Sequence, residues 1–91
     1  MIMSLKFPII KASVLESLCK EIADTSKGLT GSELTKSIAD SKMVDVNPEM
    51  TKWRRLYNSC VEVQNRTKCS NNVLSLIQNA YHPSKYLNDK N

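Results

Sequence analysis

Apolar residues recur at helical spacing in four stretches of this chain. Val14, Leu15, Leu18, Cys19, Ile22 and Ala23 fall on one stripe of a 3.6-residue period, with Lys20 and Glu21 on the other side. Ser13 and Glu16 have capping-box spacing, in which a hydroxyl and a carboxylate three residues on satisfy each other's free amides. The pattern predicts a first helix over about 13–24, ended by a polar run in which Gly28 supplies a left-handed turn. Thr30-Gly31-Ser32-Glu33 repeats the capping spacing ahead of a narrower stripe, Leu34, Ile38 and Ala39, and predicts a short, partly buried second helix over about 31–41.

Asn47-Pro48 reads as a third start, because proline suits a first helical turn whose N–H has no partner. The third helix is expected over about 48–64. A helical wheel puts Met50, Trp53, Leu56, Tyr57, Cys60, Val61 and Gln64 on the core face, and Lys52, Arg55, Ser59, Glu62 and Arg66 on the outer one, with Arg54 and Asn58 at the boundary. A fourth helix is expected over about 71–81, capped by Ser70, with Val73, Leu74, Ile77, Ala80 and Tyr81 inward and His82-Pro83 as its stop. No segment alternates long enough to argue for a sheet. The expectation is an all-α, compact four-helix domain spanning 1–91. An arm over 1–12 should pack on it, and a tail over 83–91 should fray beyond the anchors Tyr86 and Leu87.

Composition supports folding: 41% apolar residues exclude a disordered polyampholyte, and two Gly with three Pro exclude loop-rich or collagen-like architecture. The net charge of +4 is unevenly placed. Residues 1–50 carry six Lys against seven acids, and residues 51–91 carry four Lys and three Arg against two acids, so the halves stand at −1 and +5. All three Arg lie between Arg54 and Arg66. A planar guanidinium grips phosphate or carboxylate, so the basic second half suits an anionic partner, nucleic acid or an acidic protein surface. Its candidate contacts are Lys52, Arg54, Arg55, Arg66 and Lys68 on the third helix and the loop after it. A helix-turn-helix reading fits poorly, because the connector of about seven residues exceeds the usual three- or four-residue turn. No alternating hairpin follows to make a wing. Trp53 is read as a core residue in line with Leu56, Tyr57 and Cys60.

Catalysis has little to build on. The one histidine, His82, sits beside a proline, and no third group completes a Cys–His pair with Cys60 or Cys69. Cys19, Cys60 and Cys69 are odd in number and lack ligand spacing, so no metal or other cofactor is expected. Their free thiols suit a reducing cytoplasm. The apolar opening is short, interrupted by Lys6 and broken by Pro8, so it makes neither a signal core nor a membrane span.

Four stretches together resemble the N-terminal helical module of Ymh-type, abortive-infection-like bacterial proteins: Gly28-Leu29-Thr30-Gly31-Ser32-Glu33-Leu34, Thr51-Lys52-Trp53-Arg54-Arg55-Leu56-Tyr57-Asn58, Gln64-Asn65-Arg66 and Asn72-Val73-Leu74-Ser75-Leu76-Ile77-Gln78. His82-Pro83-Ser84-Lys85-Tyr86 looks like the passage to such proteins' second domain. The chain departs from the pattern at Ser70, where similar proteins tend to have Gly, and at Asn91, where the larger second domain would continue. The resemblance implies phage or mobile-element biology and supplies no catalytic residues. The expected function is a small non-enzymatic binding module for nucleic acid or a nucleoprotein complex. The alternative is a protein–protein module, such as a phage-encoded inhibitor or a defence-system adaptor.

Overall fold

The computed structural model describes residues 6–24 and 28–80. Four helices follow one another: α1 (Ala12–Ile22), α2 (Gly31–Asp40), α3 (Lys52–Thr67) and α4 (Asn71–Ala80). No strand occurs among the described residues. The radius of gyration is 13.1 Å, near the roughly 12 Å of a folded chain this long, so the fold is the expected compact all-α four-helix domain. The α3 helix lies at the centre and packs on the other three, and α2 also meets α4. Leu15, Cys19, Leu34, Ile38, Leu56, Cys60, Val63, Val73 and Leu76 form the innermost part of one continuous core. Tyr81, His82-Pro83, the tail over 83–91, residues 1–5 of the arm and Thr25-Ser26-Lys27 lie outside the described residues.

The local chemistry at the helix ends meets one expectation and corrects three. At α2 the Thr30 hydroxyl accepts from Glu33 N–H at 3.2 Å, and the Glu33 carboxylate accepts from Thr30 N–H at 2.9 Å, so the predicted capping box forms. The box predicted at Ser13 does not. Leu15 N–H already donates to the Lys11 carbonyl, Lys11 is the cap residue without a side-chain bond, and Ser13 sits inside the first turn. The reason lies upstream: buried Gln64 on α3 accepts from Ile10 N–H at 3.0 Å and donates to Ile10 C=O at 3.3 Å, which sets where the chain enters α1.

The third helix starts at Lys52, not Pro48. Met50 N–H closes a turn onto the Asn47 carbonyl, and the Asn47 side chain accepts from Asn58 Nδ2 at 3.0 Å. That tether folds the connector back along α3, so the chain must reverse before the helix can begin. At the far end α3 runs on to Thr67 and is closed by Lys68 in the left-handed region at φ 62°. Ser70, expected as a cap, directs its hydroxyl and its backbone N–H to Phe7 C=O at 3.5 and 3.0 Å. Phe7 N–H in turn donates to Asn71 Oδ1 at 2.9 Å. The described part of the arm therefore packs on the domain through these backbone bonds and the Ile10 side chain, while the side chains of Phe7 and Ile9 stay about half exposed.

Several core assignments change with the third dimension. Val14, Met50 and Leu74 are exposed, and Leu76 is buried instead of standing outside the stripe. Ser59, expected outside, is fully buried. The cause is the central position of α3, which is covered on more than the one face a wheel assigns to the core.

Gly28 does not adopt a left-handed backbone; no described glycine has positive φ. It is needed for closeness instead. A β-carbon there would run into the backbone of Ile22, Ala23 and Asp24, whereas one at Gly31 would meet open space. The two glycines should therefore respond in opposite directions in urea melts. Gly28→Ala is expected to cost at least ~1–3 kcal/mol through forced backbone shifts. Gly31→Ala should gain ~0.4–1 kcal/mol by reducing the freedom of the unfolded chain.

Candidate functional site

The five cations expected to form one basic face are divided by the fold between internal and surface roles. Lys52 is half-buried, and its ammonium donates to Leu29 C=O at 2.7 Å and Asp24 C=O at 3.3 Å. It closes the α1–α2 loop. Arg55, expected to point outward, is buried at 8% exposure. Its Nε donates to Asp45 Oδ1 at 3.0 Å, and its Nη2 donates to Asp45 Oδ2 at 2.5 Å and to Thr35 Oγ1 at 2.6 Å. Hydrogen bonding to Asp45 raises the Arg55 pKa further above its ordinary value; burial opposes this and the neighbouring charge assists it. Arg66 is exposed and held by Glu62 one turn away at 3.1 Å. Arg54 and Lys68 are exposed. They lie fourteen positions apart on α3 and its cap, about 21 Å at a helical rise of 1.5 Å per residue.

A different cluster comes together at the start of α3. Trp53 is half-buried, packed against the core on one side and open on the other. Lys20 Nζ from α1 lies 4.7 Å from the centre of its ring system, and the Arg54 guanidinium lies 5.1 Å from it. Tyr57 meets the indole edge-to-face at 6.3 Å. Trp53, expected in the core, thus packs against it without being fully enclosed. Sequence spacing showed Trp53, Arg54 and Tyr57 as neighbours on one helix, but carried nothing to bring Lys20 from α1 to the same ring.

The three cysteines are free and buried. Hydrogen bonding between Cys60 and Cys19, and then burial, raises the Cys60 pKa far above the usual thiol range. Cys69 shifts the other way. The Thr67 hydroxyl at 3.5 Å contributes most, followed by the backbone N–H of Asn71, with a small contribution from Lys6; burial opposes them. Among the described residues no three His, Cys, Asp or Glu side chains gather as metal ligands, and no helix is long and apolar enough to cross a membrane.

Comparisons of the chain with models of known protein families, with curated proteins and with solved structures found no match.

Two measurements check the assignments made here. Asp45→Ala should destabilise the domain by ~2–3 kcal/mol, somewhat under the ~3–5 kcal/mol for breaking a fully buried pair, because the Asp45 side chain is 25% exposed. Arg55→Met should cost less, since it removes the buried charge and leaves Asp45 within reach of water. With a thiol-specific disulfide reagent at neutral pH, Cys69 should react first: its lowered pKa enlarges the thiolate fraction, while Cys60 stays protonated. Equal rates for all three would contradict the assigned environments.

Proposed function

We propose that the protein is a small non-enzymatic module that binds an acidic protein surface through the cluster of Trp53, Tyr57, Arg54 and Lys20. The observation that carries this reading is the indole itself, half-buried with two cations over its rings and a tyrosine at its edge. Trp, Tyr and Arg are the residues that most often dominate protein interfaces, because they combine large contact area with directed polar groups. Arg54 supplies attraction for carboxylates and steers the encounter, beside Lys20, which is itself paired with Glu16 at 2.9 Å. Phage or host-defence biology is the setting that the Ymh-type resemblance suggests, with an inhibitor or adaptor as the corresponding role.

Nucleic acid is the second reading, favoured by the +5 charge of residues 51–91. Its candidate contacts reduce to Arg54, Lys68 and the Glu62-paired Arg66, because Lys52 and Arg55 serve the interior. A phosphate-tracking groove wants several free cations in a row, and these three are spread along the helix.

One set of binding measurements separates the readings. The protein, and a Lys20→Glu/Arg54→Glu variant that leaves the core intact, are used to capture partners from bacterial and phage-infected lysates, and are titrated with duplex and single-stranded DNA at low salt. The expected outcome is a stoichiometric complex with one acidic protein, lost in the double variant, and no measurable DNA affinity. DNA binding that weakens with salt by ~0.9 in log–log slope for each phosphate engaged would transfer the function to nucleic acid.

A further inference from the structure

The two most enclosed thiols of the chain meet inside the domain, and what they can do is independent of the reading above. Cys19 on α1 and Cys60 on α3 are each 1% exposed and belong to one core cluster. Their side chains are hydrogen-bonded to each other.

The register that brings them together is fixed by contacts without sulfur. The two helices pack antiparallel. At one end the Gln64 side chain of α3 takes the backbone of Ile10, just before α1. At the other end Lys52 of α3 takes the carbonyl of Asp24, just after α1. Between these ties Lys20, the neighbour of Cys19, stands over Trp53. A slip of α1 along α3 would break all three contacts. Helices in contact lie about 8–10 Å apart axis to axis, with Cα atoms about 2.3 Å off each axis, so facing residues fall near the roughly 4.4–6.8 Å Cα separation that a disulfide spans.

We propose that Cys19 and Cys60 are the site of a reversible internal disulfide, formed when a hydroperoxide oxidises the pair, which staples α1 to α3. Cys60 holds its proton more firmly than an ordinary thiol, so Cys19 supplies the attacking thiolate. Its sulfur bonds to one oxygen of hydrogen peroxide as the O–O bond breaks, and the departing hydroxide takes up a proton to become water. The Cys60 sulfur then displaces the sulfenic hydroxyl, which leaves as a second water carrying the Cys60 proton. The two thiols lose two protons and two electrons, and the peroxide is reduced to two waters.

Burial governs how fast this happens and not which thiols join. Peroxide reaches Cys19 when α1 opens locally from α3, and the sulfenic acid meets Cys60 as the helices close again. Oxidation of the pair therefore lags that of Cys69, whose lowered pKa gives more thiolate. Once formed, the bond closes a loop of about forty residues and removes freedom from the unfolded chain.

The test treats the full chain with hydrogen peroxide until Cys69 is consumed and beyond, alkylates the remaining thiols with iodoacetamide in denaturant, and digests with trypsin without reduction. Cleavage after lysine and arginine places the three cysteines on separate peptides, 12–20, 56–66 and 69–85. The expected product is peptide 12–20 linked to peptide 56–66 within one chain. The oxidised protein should melt roughly 10–20 °C above the reduced one, and dithiothreitol should restore the original melt. Recovery of 12–20 and 56–66 unlinked, whether alkylated or as sulfinic acids, would overturn the proposal. So would all three cysteine pairings in comparable amounts, or a linked chain that melts below the reduced one.

Discussion

The buried guanidinium of Arg55 ties together three parts of the chain: α3, the connector before it and α2. It reaches from the first turns of α3 to Asp45 in the connector and to Thr35 on α2, with Gly31 C=O at its edge. A guanidinium removed from water must find acceptors for its planar fork, and the cost of leaving it unpaired is large. The connector therefore has to bring Asp45 to Arg55. With Asp45 turned inward, Val44 and Val46 on either side face solvent. Asn58 then holds Asn47, and the turn that delays the start of α3 follows.

The same logic repeats at the other end of α3. Gln64 is buried and spends both halves of its amide on the backbone of Ile10, and Ser70 and Asn71 do the same for Phe7. These contacts satisfy main-chain groups that would otherwise lie unpaired against the domain. Together with Lys52, which caps the carbonyls of the α1–α2 loop, they show how this small domain uses its polar residues. With a thin apolar core, several of its long polar side chains act as struts between segments. The surface left for partners is correspondingly smaller and more mixed in character than the count of cations suggests.

The proposed binding site was legible in the sequence only in part. Trp53, Arg54 and Tyr57 share a helix, and spacing alone brings Tyr57 beside each of the other two, four and three residues on. Lys20 joins them only because α1 packs beside α3. Conversely, Lys52 and Arg55 look identical to Arg54 and Arg66 in composition and charge. What distinguishes them is an acceptor from another part of the chain: Asp45 ten residues away, and two loop carbonyls more than twenty residues away. A helical wheel has one axis and no neighbours, so it cannot say which polar stripe of a central helix will be covered.

By itself the sequence determined the number of helices, their order and most of their inward residues, because a 3.6-residue apolar period and a cap such as Thr30 with Glu33 are local and act before any tertiary contact forms. It determined equally that the second half of the chain is basic. Only the tertiary structure decided that Arg55 and Ser59 are interior, that Gly28 is required for close approach instead of a left-handed turn, and that α1 begins before its Ser13 signal. Each of these depends on a partner far away in the chain. The free energy of burying a polar group is set by whether such a partner arrives, and local pattern does not encode that arrival.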